Sequence, residues 1–369
     1  RSAWVALPAG SMLCPALISG LLVAAVLGWQ ETSRAAAVES AIAATRWTDY
    51  EPHQPVAVVE QAVDRLSTAV RNRWYDGNAH LRLAQLWIHL YRLHAFAELK
   101  RELPAKSDIE LWRLTDIAHL HARAAELASV KNVVELDRLR HEPVVANYLP
   151  QAWNHLMWAR KMCPWLAEIH LQLAVLCFLA GDPAMDQGHL DQVRLLASHD
   201  PDYLYAVGLL DLNDDRTAQA YREFKKSWSL SIWHHYDIIA LVSRRLTMAQ
   251  MLDFVVPASP EIMIKMARET YSGAPHAYDR MLLMRRAEQL LTTLTMDPAD
   301  KFHARAGLEL LKNDLPQALA DYQRASQLRP TNGNWQGETQ ALLQNIRAAE
   351  KAREAASHAH ARSDGNRGS

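Results

Sequence analysis

Histidine is the first residue type to test for chemistry here, since His119-Leu120-His121, His234-His235 and His358-Ala359-His360 bring rings close together along the chain. Two ligands share a helix face at a spacing of three or four residues, whereas a spacing of one or two turns them apart. None of these groups carries an acidic or cysteine third ligand at a suitable distance, and His141-Glu142 lacks the second histidine that a zinc-protease helix requires. Asp211, Asp214 and Asp215 around Asn213 look briefly like a calcium loop. They lack its ordered ligand spacing and closing glutamate, and they fall where an inter-helix turn is expected. The sequence has no glycine-rich phosphate loop, nucleophile elbow or dinucleotide fingerprint. No general acid and base pair stands out among the carboxylates. Catalytic residues, cofactor ligands and metal ligands are therefore all expected to be none.

Cysteine adds nothing to that list. Cys14, Cys163 and Cys177 are an odd number with no close pair, so neither a disulfide framework nor zinc spacing is present. Cys163 and Cys177 would bridge only if neighbouring helices brought them together, and the reading adopted is of small buried hydrophobes. The 40 basic and 41 acidic residues give a net charge of -1 and are mixed along the chain. A nucleic-acid partner needs a concentrated basic face, so none is expected.

The elements that would position any site are helices. Of the 369 residues 49% are hydrophobic and 22% charged, Gly and Phe are scarce, and no alternating β-branched run reads as a strand. A small-residue pattern recurs near a period of about 34. Its clearest copy is Ala152, Leu156, Ala159 and Pro164, followed by Leu173, Ala174, Cys177, Gly181 and Asp182. Small side chains let two antiparallel helices approach, and the proline stops one helix before the next begins. Ala62, Leu66 and Ala69 run into Trp74, after which His80, Leu83, Ala84 and Trp87 open a further unit. Gly208, Ala220, Phe224, Ser227 and Leu230 fit another, as do Ala306, Gly307 and Leu310 with Ala318, Tyr322, Ala325, Leu328 and Pro330. Asp200-Pro201 and Asp297-Pro298 punctuate at comparable places. From about Phe96 to Val145 and from Ser243 to Met284 the helical periodicity persists without the signature, as degenerate repeats or spacers.

On these residues the chain resembles the tetratricopeptide family over most of residues 55 to 346. The resemblance implies an all-α fold, a solenoid of antiparallel helix pairs. It also implies protein partners held in a concave groove lined by the first helices. By position in the pattern Asn78, Gln85, His89 and Glu168 face that groove.

The start of the chain reads differently. No charged side chain occurs from Trp4 to Trp29, and Met12 to Leu27 is almost continuously apolar, a length that suits one bilayer crossing with tryptophan at both interfaces. The expected organisation is a transmembrane helix at 1–30, a linker at 31–54, tetratricopeptide-like repeats at 55–346, and the end of a capping helix with a disordered polar tail at 347–369. This places the chain in a membrane through residues 4–29. The flanking charges do not fix the side, and the repeats are expected outside the cytoplasm.

The function read from this is a membrane-anchored scaffold for protein-protein interaction, not an enzyme. Two alternatives accompany it. In the first the chain, which begins with Arg, is the C-terminal repeat extension of a polytopic membrane protein similar to O-antigen ligases and polymerases of envelope polysaccharide assembly, its catalytic part lying outside this sequence. In the second it is a secreted repeat protein whose apolar segment is cleaved as a signal.

Overall fold

A computed structural model describes residues 10–45, 54–72, 75–180 and 184–365, with side chains described for 23–45, 54–71, 75–180, 186–348 and 351. Every regular element among them is helical, as the composition implies. The chain divides into two compact units, residues 1–223 and 224–369.

The first unit contains α1 (Gly10–Thr45), α2 (Val56–Asn72), α3 (Gly77–Glu102), α4 (Asp108–Leu114), α5 (Ile117–Ser129), α6 (Val133–Arg140), α7 (Pro143–Met162), α8 (Ala167–Leu176), α9 (Ala184–Leu196) and α10 (Pro201–Asn213). Its helix starts are written in side chains. Asp76 accepts from the Ala79 N–H at 3.0 Å, Ser107 and Glu110 form a reciprocal capping box, and Asp200 caps α10 with Pro201 at its first position.

The repeated small residues lie where helices meet. Ala152, Leu156 and Ala159 of α7 are fully buried with Ala84 of α3 and Leu173 of α8 in one core. Gly77 makes the approach possible at one end, for a Cβ there would stand 2.5 Å from Cys163 Sγ. Both Cys163 and Cys177 are free thiols. Gly181 and Asp182 of the expected pattern lie outside the described residues, as does Trp74. The principal partner of α3 is α7, not its sequence neighbour. The intervening α4, α5 and α6 occupy the stretch where the signature is lost, and α5 packs instead on α6, α8 and α10.

The start of the chain corrects the sequence reading. Among the described residues no helix is long and apolar enough to cross a membrane. The expected transmembrane helix, and the membrane location drawn from it, are set aside on that finding. Residues 4–9 of the expected span lie outside the described residues, and so do the side chains of 10–22. The physical difference is continuity: α1 does not stop after the apolar run but continues through Glu31, Arg34 and Glu39 to Thr45. Its last turns belong to the core of this unit, where Val38 is 1% exposed and packs with Ala41 and Ile42 among α2 and α3 side chains. Arg82 of α3 ties the end of α1 down through the Thr45 hydroxyl at 3.0 Å and the Thr45 carbonyl. Residues 31–45, read as linker, are thus helix.

α11 (Thr217–Leu230) spans the division between the units. The second unit continues with α12 (His235–Val242), α13 (Met248–Phe254), α14 (Pro260–Glu269), α15 (Ala277–Thr293), α16 (Pro298–Leu311), α17 (Leu315–Leu328) and α18 (Gly333–Gly365). Here α16 and α17 form a hairpin around buried Ala306, Ala318 and Tyr322. Gly307 lies at a close approach, where a Cβ would stand 3.1 Å from Ile264 Cγ2. Asp297 with Pro298 opens α16, and Asn313 at φ 64° closes it. Leu230 and Leu328 of the repeat pattern are exposed instead. α18 runs on to Gly365, so residues 347–365, read as capping helix passing into a disordered tail, are helical. Its Ala, Glu, Lys and Arg are good helix formers.

Candidate functional site

Gln85, His89 and Arg92 follow one another at spacings of four and three along α3 and so share a face. That face, the first turn of α5, and α8 and α10 enclose a groove of about 390 Å³ in the first unit. Glu168 and Gln172, four apart on α8, line it as well, and Ile88, Leu171 and Leu209 supply apolar surface.

Each polar group is held. His89 is buried, with Nε2 3.3 Å from Gln54 Oε1 and its ring edge-on to Trp112 at 5.9 Å. The Arg92 guanidinium lies 4.2 Å over the Trp112 ring, a cation–π contact that fixes its direction. Glu168 accepts from the Tyr203 hydroxyl at 3.0 Å and from Gln172 Nε2 at 2.5 Å. Burial and the Glu168 carboxylate together push the Tyr203 hydroxyl well above its ordinary range, so it stays a donor. Gln172 Oε1 is left buried without a hydrogen-bond partner among the described residues. An unpaired buried acceptor costs about 1–3 kcal/mol, which an incoming N–H donor would recover.

Of the four residues expected in a groove, Gln85, His89 and Glu168 come together here. Asn78 does not: it is exposed on α3 about 10 Å nearer the helix start than Gln85, and it is not part of the groove lining. Arg92, Asp116 and Gln172 were missed. Helical spacing from His89 points to Arg92, and spacing from Glu168 points to Gln172; Asp116 is a helix cap that gives no such signal.

The histidines that invited a metal reading disperse. His119 is exposed while His121 is buried, and the side chains of His358 and His360 lie outside those described. No group of three or more metal-ligating side chains converges among the described residues. The aspartates around Asn213 do form an inter-helix turn, with Asp214 ending α10 and Asp215 at φ 59°. Two histidine pairs invisible in the sequence appear instead. His80 and His155 face each other with Nδ1 atoms 3.0 Å apart, and His170 and His189 do so at 3.1 Å.

Comparison with known proteins adds little. No family model matches the chain, and no curated protein does. Among solved structures it is similar to the crystallised TPR domain of P58(IPK), with 13% identity over 78% of this chain and 94% of that one, at a TM-score of 0.22. A likeness that loose decides nothing about the arrangement of helices here. None of these comparisons supports the link to O-antigen ligases.

Proposed function

We propose that the chain is a tetratricopeptide-like scaffold that holds a segment of a partner protein in the groove of its first unit, without catalysis of its own. The supporting observation is the convergence of Gln85, His89, Arg92, Glu168 and Gln172 from α3 and α8 on one groove with an apolar floor. Fixed polar groups around apolar surface are what peptide recognition uses: the floor contributes affinity, and oriented donors and acceptors set the register.

The test is a peptide-array screen with the full chain, comparing wild type with Arg92→Ala and Gln172→Leu. Sequences retained by wild type are expected to lose binding by about tenfold or more in either variant, the usual scale for removing a buried polar contact. Both variants should still melt cooperatively but at a somewhat lower temperature, because Arg92 gives up its Trp112 contact and Gln172 its bond to Glu168. If both variants retain the wild-type peptides with equal strength, the groove is not the binding surface.

A further inference from the structure

A second cavity, open and of about 610 Å³, lies elsewhere in the first unit, where the last turn of α7 and the turn that follows it face α8 and α9. Arg160 and Lys161 bring two cations to it, and none of the described residues that line it is acidic. Basic side chains at the end of a helix ordinarily offset its macrodipole, which there amounts to about half a negative charge. Two full positive charges exceed that.

Arg160 is half-buried and makes no hydrogen bond, ion pair or ring contact among the described residues. Arg194 and Arg216 of the same unit, by contrast, each engage three carboxylates. Lys161 has no carboxylate partner either, and its ammonium rests 4.5 Å over the Trp158 ring.

His189 supplies an independent sign. It lines the cavity at 5% exposure, with Nδ1 3.1 Å from Nδ1 of His170, whose Nε2–H donates to the Pro164 carbonyl at 2.8 Å. That donation orders the two rings. While the pair is neutral, His189 gives its Nδ1–H to His170 and its own Nε2 is a bare lone pair; one added proton turns Nε2 into an N–H, on whichever ring the charge settles. In both states Nε2 lacks a partner among the described residues. Burial, the His170 ring and the Arg160 charge hold the His189 ring down to about 4, so the positive field of Arg160 reaches the histidine.

We propose that this cavity binds a phosphate group, as the free ion or carried by a small ester. Phosphate oxygens accept from the Arg160 guanidinium and the Lys161 ammonium in charge-assisted hydrogen bonds, and no carboxylate on the described wall repels them. Phosphate also suits His189 in either state. With a second ionisation near 6 it brings a proton that the two bases share, its P–O–H donating to the bare Nε2 or its oxygen accepting from Nε2–H. A carboxylate ligand, ionising near 4, brings no proton and sets a second acceptor against the neutral pair. A metal ion is set aside because no third ligand joins the two histidines among the described residues.

Calorimetric titration of the full chain near neutral pH and at low salt, where screening is weakest, with inorganic phosphate, glycerol 3-phosphate and acetate tests this. Saturable binding of phosphate is expected, with acetate weaker by about tenfold. Tighter binding of the ester than of the free ion identifies a phosphomonoester as the ligand, and equal binding identifies phosphate itself. Arg160→Gln should weaken both about tenfold, the scale of a lost charged hydrogen bond. A Cβ at Gly188, on the cavity wall, meets open space, so Gly188→Glu and Gly188→Gln should fold alike. The first sets a carboxylate against the phosphate and should bind it about tenfold more weakly than the second. Absence of saturable phosphate binding to wild type, equal binding of acetate, or equal phosphate affinity in the two Gly188 variants would overturn the proposal.

Discussion

At the scale of single residues, the buried histidine pairs give the chain a defined response to acid. His155 and His189 are both held down from 6.5 to about 4, first by burial and then by the partner ring. Their native state therefore favours the neutral form. In the unfolded chain these rings take up protons below about 6.5, so the stability tied to their neutrality is complete above that pH and is lost as pH falls towards 4. Urea midpoints measured at pH 7, 5.5 and 4.5 should decline along this course, and His189→Gln should flatten it. A wild-type profile that is level over the range would contradict the assignment. Gly77 offers a second residue-scale expectation. Gly77→Ala drives a methyl group against Cys163 Sγ and should cost about 1–3 kcal/mol by overpacking. Adding Cys163→Ala removes the sulfur and should recover much of that loss in thermal melts, whereas simple additivity of the two changes would show that they do not touch.

At the scale of elements, stability rests on side chains that join helices. Leu156 is fully buried between α3 and α7, and Leu156→Ala should cost about 2–5 kcal/mol through lost burial and a residual cavity. The charged network is the other joint. Asp211 of α10, completely buried, accepts from Arg194 of α9 and Arg216 of the α10–α11 turn. Asp211→Asn should cost about 3 kcal/mol, near the low end for breaking a buried pair, because both arginines keep other carboxylates. Denaturant unfolding checks both values. A variant within 0.5 kcal/mol of wild type, roughly the range of inert surface changes, would mean that the residue is not holding its helices together.

For the molecule as a whole, the division into two compact units predicts local responses. Hydrogen exchange in Leu156→Ala should accelerate across α3 and α7 while protection in α16 and α17 stays near wild type. Uniform loss of protection would count against separate units. What could be read in the sequence follows the same division between local and distant. The all-helical class, the buried Ala152, Leu156 and Ala159, and the Asp-Pro starts of α10 and α16 all depend on neighbours in the chain, and spacing reveals them. The pairing of α3 with α7 lies beyond the reach of any local period, and the Arg194–Asp211 and Arg216–Asp186 pairs and the two histidine pairs join residues 17 to 75 apart. The groove was visible only as far as helical position carries: it gathers Gln85, His89 and Glu168 but not Asn78. The apolar start was misread because hydropathy registers a greasy run without showing that the same helix continues into a folded core.

The preference of α3 for α7 over its neighbours in the chain has a consequence during synthesis. About 60 residues separate the end of α3 at Glu102 from the end of α7 at Met162, and a ribosome adding about 5–20 residues per second needs ~3–12 s to deliver them. For those seconds Ala84, Ile88 and Tyr91 on a finished helix have no mate, and the nascent chain presents a sticky stripe to whatever chaperone waits at the exit tunnel.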